Sequence, residues 1–457
     1  MGNIRIIHTN DIHSSFEEFL RMGTIIKENA NENTIILDGG DFNDFSSIIT
    51  KGSNGKAGLD MLNHLGYSAL TIGNNEGFQK IKTIEKMCSF NLIDILSCNL
   101  FKEDGSQVNG VKPFIIKKTN NIRFLIIGVS PYRQSYDEYF NCYGMKVVEP
   151  FDIIRKIIKD QKDNYDFVIL LSHLGLKTDI MMTQSINNID IIIGGHSHHA
   201  IDAVKVNNTI IHQSGVRGSH VGILDICIND GKIVGFNDKN IENTGKIAPD
   251  KQVTKLFMEY EEIAKEKLRK IVAKANETLV YNITNECNYT NLIVDYLYNK
   301  YECDFALVNS GITQHNVKKG KVSKEDIILT CNSPLIISSI HIKGKHIIKA
   351  IEESSDKLKC LDSRRMIGFR GKFLGKLHVS YNCKIKQNQL YINGELISEK
   401  NYYKIVTVDL LSRGMGYKSL KRHKEYALLK ETIQEAITNA INDEKAYEHI
   451  NQRRWED

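Results

Sequence analysis

The sequence predicts an α/β protein built from two domains. At 457 residues the chain is longer than one hydrophobic core usually covers, so two domains are expected. Short apolar runs alternate with stretches that have the periodicity of amphipathic helices, such as residues 151–162. Strands this apolar are typical of a sheet covered on both faces, and their alternation with helices indicates an α/β fold.

The first half of the chain contains a series of apolar runs, each of which ends in a polar or glycine-rich turn. In chain order they read IRIIH, TIILDGGD, ALTIGNN, IDILSCN, RFLIIGVS, FVILLSH and IDIIIGGH. Two further runs, TIIHQSG and HVGILDICI, precede NDGKIVGF, which predicts a β-hairpin around Asp230 and Gly231. These segments predict the strands of an N-terminal domain over residues 1–246.

A long charged helical pattern follows, with Pro249 near its start. We expect it to form a bridging helix over residues 247–275, with a second domain over residues 276–457. The runs FALVNSG, LIISSIHI, LHVSYN and YKIVTVD predict the strands of that second α/β domain. A charged helix is predicted from about Lys424 to the end.

Composition and charge exclude several functional classes. Hydrophobic residues make up 41% and charged residues 25%, as in globular proteins, and the net charge of +5 is too small to indicate nucleic acid or a membrane surface as a partner. No apolar segment reaches the roughly 18 residues of a membrane helix. The nine cysteines contain no C-x-x-C pair, and the first residues, MGNIRIIHTND, lack the pattern of a secretory signal. We therefore expect a cytoplasmic location.

Polar residues at the strand ends form a candidate metal centre. Strand ends of an α/β sheet meet at one edge, where ligands usually bind. Alone, each such histidine is more often a structural hydrogen-bonding group, but all of these segments occur in order at strand ends. Two carboxylates, one amide and four imidazoles suit Mn, Zn, Co or Fe better than Mg or Ca, and they are too many for a single ion. The residues are Asp11, His13, Asp41, Asn74, His173, His196 and His198.

The order D-x-H, GD, GN-x-E, H and GH-x-H resembles the calcineurin-like metallophosphoesterases. HTNDIHS, SCNL, SHLG and GGHSHH are similar to the branch of 5′-nucleotidases and 2′,3′-cyclic phosphodiesterases. The resemblance covers nearly the whole chain, because Glu286, LVNSG at 307–311 and YKIVTVDLLSRGMGY at 403–417 resemble that branch's substrate domain. It implies a four-layer α/β/β/α sandwich followed by a C-terminal α/β substrate-binding domain.

The resemblance also implies a ligand assignment and a reaction. Asp11, His13 and His198 would hold one divalent ion. Asn74, His173 and His196 would hold the other, with Asp41 as the bridging and catalytic carboxylate. A hydroxide between the ions would attack the phosphorus of a nucleotide, as in a 5′-nucleotidase-type phosphomonoesterase.

Asn75 departs from the family pattern GNHE, in which a histidine hydrogen-bonds the phosphoryl group and protonates the leaving oxygen. An amide still donates a hydrogen bond, but it supplies no proton. We consider Asn75 a catalytic-site residue under three accounts. In the first, another residue protonates the leaving group or the substrates have good leaving groups. In the second, the enzyme is slow. In the third, the protein binds metal and ligand without turnover. Candidate substitutes for the acid are Glu76, His199 and His315.

The substrate domain departs from the family as well. NSGITQHN lacks the arginine that follows this asparagine in the nucleotidases, and RGMG replaces the family's GGDG loop. GFRGKFLGK at 368–376 offers a replacement, because a basic side chain holds phosphate while an aromatic ring stacks on a base. We therefore expect Asn309, Arg370 and Phe373 to bind substrate. The alternative is that 368–376 is a strand with one buried face and one solvated basic face.

The leading hypothesis is a metal-dependent hydrolase of a small phosphorylated substrate, most simply a nucleotide. The first alternative is a phosphodiesterase or pyrophosphohydrolase acting on cyclic or pyrophosphate-linked nucleotides with the same ions. The second is a non-catalytic nucleotide-binding relative, against which the intact ligand set argues. A nuclease would use the same metal chemistry, but its long basic groove is not evident.

Overall fold

The computed structural model describes residues 2–364, 366 and 368–456. The chain divides into two compact units, Met1–Lys265 and Glu266–Asp457. The division falls within the segment that the sequence predicts as a bridge, residues 247–275. None of the helices in the described residues is long and apolar enough to cross a membrane.

Unit 1 alternates strands and helices, as the sequence predicts. Its strands are β1 Gly2–Thr9, β2 Thr34–Asp38, β3 Ala69–Thr71, β4 Asp94–Leu96, β5 Leu100–Lys102, β6 Phe114–Thr119, β7 Ile122–Val129, β8 Met145–Val147, β9 Phe167–Ser172, β10 Ile191–Gly194, β11 Ala200–Val206, β12 Thr209–Ser214, β13 His220–Asn229 and β14 Lys232–Glu242. Its helices are α1 Phe16–Asn29, α2 Ile48–Ser53, α3 Lys56–His64, α4 Asn74–Gly77, α5 Ile81–Ser89, α6 Gln134–Cys142, α7 Phe151–Asp160, α8 Leu176–Ser185 and α9 Lys251–Leu268, whose last residues lie beyond the division.

Two six-stranded sheets form the centre of unit 1. The first has the order β14-β13-β1-β2-β3-β4 and the second the order β11-β12-β10-β9-β7-β6. Within them β1, β2 and β3 run parallel to one another, as do β9 and β10, so their carboxyl ends share an edge. The predicted hairpin around Asp230 joins β13 to β14, and Asp230 (φ 47°) and Gly231 (φ 71°) both have left-handed backbone.

The sheets pack face to face and are covered by helices. Ile6 and Leu37 of the first sheet share one hydrophobic cluster with Ile126 and Ile193 of the second, so the apolar faces of both sheets are buried against each other. On the far side of the second sheet, Ile154 of α7 joins Leu170 and its neighbours in a separate cluster. On the first sheet, α1 packs against β13 and buries one apolar face. This is the predicted four-layer α/β/β/α sandwich.

Unit 2 is a second α/β body. Its strands are β15 Ile271–Ala275, β16 Phe305–Asn309, β17 Gly320–Ser323, β18 Ile336–Lys343, β19 Leu377–Val379, β20 Cys383–Lys386, β21 Gln389–Ile392, β22 Glu395–Leu396, β23 Tyr402–Val408, β24 His423–Thr432 and β25 Trp455–Glu456. Its helices are α10 Asn288–Lys300, α11 Lys324–Thr330, α12 Gly344–Ser355, α13 Lys357–Cys360, α14 Asp409–Ser412 and α15 Ile433–Asn442.

A mixed sheet of order β19-β16-β23-β18-β24 organises unit 2, beside a small sheet of order β22-β21-β20-β25. The four strands predicted from FALVNSG, LIISSIHI, LHVSYN and YKIVTVD are β16, β18, β19 and β23 of the mixed sheet. One hydrophobic cluster, which includes Leu297, Phe305, Ile340 and Ile437, forms the core of this unit.

Two predicted helices are shorter than expected, and one considered strand does not form. The bridging helix ends at Leu268, because the β-branched pair Ile271–Val272 begins β15, which pairs with β17. Residues 423–432 form β24 alongside β18, and the final helix begins only after Thr432, whose hydroxyl and Glu435 make a capping box. The segment 368–376 forms neither strand nor helix, since its glycines interrupt any periodic backbone.

Candidate metal centre

The predicted ligands of unit 1 occupy loops that leave the carboxyl ends of β1, β2, β3, β9 and β10. The loops after β1 and β2 run side by side and are joined by backbone hydrogen bonds. Asp11 donates its N–H to Gly40 (2.9 Å), and His13 donates its N–H to Asp41 (2.8 Å). The predicted carboxylates Asp11 and Asp41 are thereby held next to each other.

Asp11, His13 and His198 form one group able to hold a metal ion. Their ligand atoms lie within 4.8 Å of one another. Oδ1 of Asp11 is 3.8 Å from Nε2 of His13 and 3.3 Å from Nε2 of His198. Asp11 is fully buried, whereas nearly half of the His198 side chain is exposed, so the group opens to solvent on one side.

A second group combines Asp11, Asp41 and His173, whose ligand atoms also lie within 4.8 Å of one another. Nε2 of His173 is 3.4 Å from Oδ2 of Asp41 and 3.8 Å from Oδ1 of Asp11. Oδ2 of Asp41 also lies 4.0 Å from Nε2 of His13. Asp41 thus lies near imidazoles of both groups, whereas the carboxylate that the two groups share is that of Asp11.

The chemistry of these atoms fits a bound cation. Oδ1 of Asp11 and Nε2 of His173 are buried and have no hydrogen-bond partner among the described residues. Nδ1 of His173 lies 2.6 Å from the carbonyl oxygen of Gly39, to which it donates, and this fixes the tautomer that leaves Nε2 facing the carboxylates. Buried polar atoms without partners are costly, and a divalent ion would satisfy both.

Electrostatics point the same way. Burial lowers the pKa of His173, but the carboxylates of Asp41 and Asp11 outweigh burial and raise that pKa to about 10. Burial raises the pKa of Asp41, yet the imidazoles of His173 and His13 bring it well below its ordinary value. Without metal, a proton on His173 therefore supplies the positive charge that a cation would supply.

The backbone at these positions is unusual. Asp11, His13, Asp41, His196 and His198 all have positive φ, between 50° and 71°. Non-glycine residues adopt this left-handed conformation at an energetic cost, and they do so mostly where the surrounding structure enforces it. The strained backbone coincides with the predicted ligands and turns their side chains toward one point.

Glycines provide the space in which the ligands meet. A methyl group at Gly73 would overlap Asp41, and one at Gly40 would lie 2.7 Å from Nδ1 of His173. Gly40 also has φ of 90°, so its conformation suits glycine alone.

Asn75 lies inside the centre. Its backbone N–H donates to Oδ1 of Asp41 at 2.8 Å, and its side-chain nitrogen donates to Oδ2 of the same carboxylate at 2.9 Å. The same nitrogen is 2.6 Å from Nδ1 of His13. Asn74, the predicted ligand, is the first residue of α4 and is partly buried.

Glu76, a candidate substitute for the missing acid, is a structural residue. Its carboxylate accepts hydrogen bonds from the backbone N–H groups of Asp41, Asn43 and Gly73 at 2.8–3.1 Å. Burial and the neighbouring Asp41 raise the pKa of Glu76 to about 8. Glu76 thus connects the loops after β2 and β3 and is 1% exposed.

His196 stands beside the second group and has a partner that the sequence did not indicate. Its backbone N–H donates to Oδ2 of Asp11 (2.8 Å), and its ring lies 5.1 Å from that of His173. Burial and the charge of His173 lower the pKa of His196 to about 4. The hydroxyl of Tyr136, on α6, is 3.2 Å from Nε2 of His196. No motif marks Tyr136, although α6 follows closely after β7, whose carboxyl end lies beside that of β9.

In unit 2, two of the predicted substrate residues lie on the 368–376 loop, and the third contacts it. Asn309 is fully buried at the end of β16, and its amide donates to the carbonyl oxygen of Leu374 at 2.5 Å. Asn309 therefore supports the loop from below. Arg370 and Phe373 are partly buried on the loop, and Nζ of Lys372 lies 5.3 Å from the Phe373 ring. Arg413, for which the sequence predicts no role, approaches Gly368 and forms an ion pair with Asp409 at 2.9 Å.

Comparison with known protein families gives a match in each half of the chain. Residues 4–200 match the calcineurin-like phosphoesterase family, and residues 271–422 match the 5′-nucleotidase C-terminal domain. The chain is 27% identical to the uncharacterized metallophosphoesterase YunD of Bacillus subtilis, over 93% of this chain and 96% of that protein. It is 22% identical to protein UshA of Escherichia coli, over 93% of this chain and 88% of UshA.

A solved structure supports the same architecture. The NAD nucleotidase NadN of Haemophilus influenzae superposes with a TM-score of 0.65 at 16% identity, covering 96% of each chain. At 16% identity, this similarity shows that the two proteins share a fold.

Proposed function

The chain belongs to the calcineurin-like phosphoesterases that carry a 5′-nucleotidase C-terminal domain, and we propose that it hydrolyses the phosphate ester of a nucleotide at a centre of two divalent ions. The observation that carries the proposal is the convergence of Asp11, Asp41, His13, His173 and His198 into two groups that share the carboxylate of Asp11. The metal-dependent phosphoesterase class follows from the family, and the two ions and the nucleotide are our proposals.

Asp11, His13 and His198 would hold one ion, and His173 with Asn74 and His196 would hold the other. Asp41 would lie between them, because its Oδ2 faces both His13 and His173. Bound divalent ions would supply a water of near-neutral pKa and would neutralise charge that develops on the phosphoryl oxygens. Mn, Zn, Co or Fe suit this mixed nitrogen and oxygen set better than Mg.

The protein's own residues orient the centre and limit its chemistry. Gly39 fixes the ring of His173, and Glu76 holds the loops that deliver Asp41 and Asn75. The Asn75 amide has no titratable proton, so it gives no proton to the departing oxygen. Substrates whose leaving group is already a weak base are therefore favoured.

This preference supports a second candidate function. A pyrophosphate-linked nucleotide releases a nucleotide phosphate, which leaves more readily than the sugar alkoxide that a monoester or a cyclic nucleotide releases. The absence of a histidine at position 75 favours pyrophosphohydrolase activity over monoester hydrolysis. In either case the 368–376 loop, with Arg370 and Phe373, would bind the nucleotide.

The test is phosphate release from nucleoside mono-, di- and triphosphates, cyclic nucleotides and dinucleotides. Metal-stripped protein would be resupplied with Mn, Co, Zn or Mg, beside Asp41→Ala. We expect turnover that depends on the added metal and is lost in Asp41→Ala. No turnover across the panel, with two ions bound per chain, would favour the non-catalytic binding role. Hydrolysis of bis-p-nitrophenyl phosphate compared with the monoester would distinguish diesterase from monoesterase activity.

A further inference from the structure

Asn75 directs its side chain toward the metal ligands. The side-chain nitrogen lies 2.9 Å from Oδ2 of Asp41 and 2.6 Å from Nδ1 of His13, and Asn75 is 9% exposed. Its backbone N–H adds a third contact, to Oδ1 of Asp41 at 2.8 Å. Both oxygens of that carboxylate therefore have a donor from one residue.

The position of Asn75 is fixed by its neighbours. Gly73 approaches Asp41 so closely that a methyl group there would overlap the carboxylate, and Glu76 accepts from the N–H groups of Gly73 and Asp41. The turn into α4 is thus attached to the loop after β2 on both sides of Asn75. Little freedom remains for the amide to rotate outward without losing its contacts.

We propose that Asn75 is a positioning residue for the metal ligands, which joins Asp41 to His13 through one amide and does not act on the substrate. The inference rests on the proposed function, because it requires a metal centre at these residues. It differs from the expectation that the amide donates to a phosphoryl oxygen, since that nitrogen is already engaged by Asp41 and His13.

An amide is chemically suited to this role. A histidine that binds an ion through Nε2 carries its proton on Nδ1 and donates it to a neighbouring acceptor. The Asn75 side chain offers a nitrogen donor or, after rotation about its last bond, an oxygen acceptor to Nδ1 of His13. With the nitrogen toward His13, Nδ1 of His13 is the acceptor and its proton is on Nε2, as suits the metal-free protein. With the oxygen toward His13, Nδ1 donates and Nε2 is free for an ion, and Asn75 then holds Asp41 through its backbone N–H. An aspartate at position 75 would offer His13 only hydrogen-bond acceptors, and an alanine would offer it no hydrogen-bonding group.

The test measures Mn²⁺ binding to metal-stripped full-length protein by titration calorimetry, with Mn²⁺ alone as the probe. We expect Asn75→Ala to weaken Mn²⁺ affinity by about 10- to 100-fold, as for other losses of a group that supports a metal ligand. Asn75→Asp should bind Mn²⁺ more tightly than Asn75→Ala, because it keeps an acceptor for His13, although its carboxylate repels that of Asp41. The melting temperature of each metal-free variant would establish that it folds.

Asn99→Ala is the matched control. Asn99 is another buried asparagine at a strand end, but its amide donates to Ser130 and Val148, away from the ligands. Its loss should lower the melting temperature and leave Mn²⁺ affinity unchanged.

The outcomes separate this inference from the proposed function. If the wild type binds no Mn²⁺, the metal centre itself is wrong. If the wild type binds Mn²⁺ and Asn75→Ala binds it equally tightly, only the positioning role is wrong. A higher KM for substrate with unchanged Mn²⁺ affinity would show that the amide contacts substrate instead. Weaker binding in Asn75→Asp than in Asn75→Ala would contradict the role of His13 as the partner.

Discussion

At the scale of single residues, two buried carboxylates organise the metal centre. The neighbouring side chains supply too little positive charge to compensate them. Asp11 and Asp41 raise the pKa of His173 to about 10, despite a burial that would lower it. A cation would displace that proton, so metal binding should release protons near neutral pH. Sequence spacing identified these residues because each follows an apolar strand, and parallel strands bring their carboxyl ends together without further information.

The first prediction concerns the missing general acid. Asn75→His introduces a group that can protonate the leaving oxygen, and general-acid assistance typically contributes about 10²–10⁴ in rate. At saturating Mn²⁺ we expect a large gain on nucleoside monophosphates, whose sugar alkoxide needs a proton, and little gain on p-nitrophenyl phosphate. The measurement is kcat for both substrates in both proteins. An equal change for the two substrates would contradict the assignment of Asn75 as the cause.

At the scale of elements, the close meeting of the loops after β2, β9 and β10 depends on glycine. A methyl group at Gly195 would lie 2.7 Å from the carbonyl oxygen of Gly39 and 2.9 Å from Nδ1 of His173. These are the two atoms whose hydrogen bond orients the imidazole.

The second prediction follows from that packing. Gly195→Ala should displace His173 from Gly39, cost about 1–3 kcal/mol of folding free energy by overpacking, and weaken Mn²⁺ binding about tenfold. Gly235→Ala in β14 is the control, because a methyl group there would meet nothing within 4 Å. Thermal unfolding and Mn²⁺ titration measure the two effects. Wild-type Mn²⁺ affinity in Gly195→Ala would show that the orientation of the His173 ring does not depend on its contact with Gly39.

The last strand of unit 2 is held by a buried ion pair. Arg454 is 1% exposed, and its guanidinium donates to Asp295 at 2.6 Å and to the carbonyl oxygen of Val379 at 2.5 Å. Its neighbour Arg453 is exposed. Removal of one partner leaves the other charge buried and uncompensated.

The third prediction compares the two arginines. Arg454→Ala should lower the free energy of unfolding of unit 2 by about 3–5 kcal/mol, whereas Arg453→Ala should change it by less than about 1 kcal/mol. Trp455 is the single tryptophan of the chain and is buried, so its fluorescence during urea unfolding reports on this unit. Equal midpoints for the two variants would contradict a structural role for the pair.

Strand positions and the convergence of the candidate ligands were predictable because they depend on local periodicity and on the shared edge of parallel strands. Contacts between residues distant in sequence were not. Asn75 meets His13 across 62 positions, and Arg454 meets Asp295 across 159. The helical pattern after Lys424 failed because pairing with β18 overrides local propensity. The inward direction of Asn75 and the burial of Asn309 are likewise products of tertiary packing.

At the scale of the whole molecule, each unit has its own hydrophobic core, and the stability of unit 1 should depend on pH through a buried histidine pair. His8 of β1 and His212 of β12 join the two sheets, with Nε2 of His8 2.9 Å from Nδ1 of His212. Both side chains are fully buried. Burial lowers the pKa of His212 to about 4, and burial together with His212 lowers the pKa of His8 well below 6.5.

The sign of the fourth prediction follows from these depressed values. Between pH about 6.5 and 4 the unfolded chain binds protons that the folded pair does not, so folding stability falls as pH decreases through this range. A shift of this size in His212 corresponds to about 3 kcal/mol over the whole window. Metal-free protein avoids the separate effect of losing bound metal at low pH, and calorimetric melting between pH 7.5 and 5 gives the measurement. His212→Gln should flatten the pH dependence of the melting temperature, and His64→Gln at an exposed position should keep it.

If His212→Gln retained the wild-type pH dependence, the acid sensitivity of the molecule would have to arise from groups other than this pair. One such group is His378 in the core of unit 2, because burial lowers its pKa to about 3.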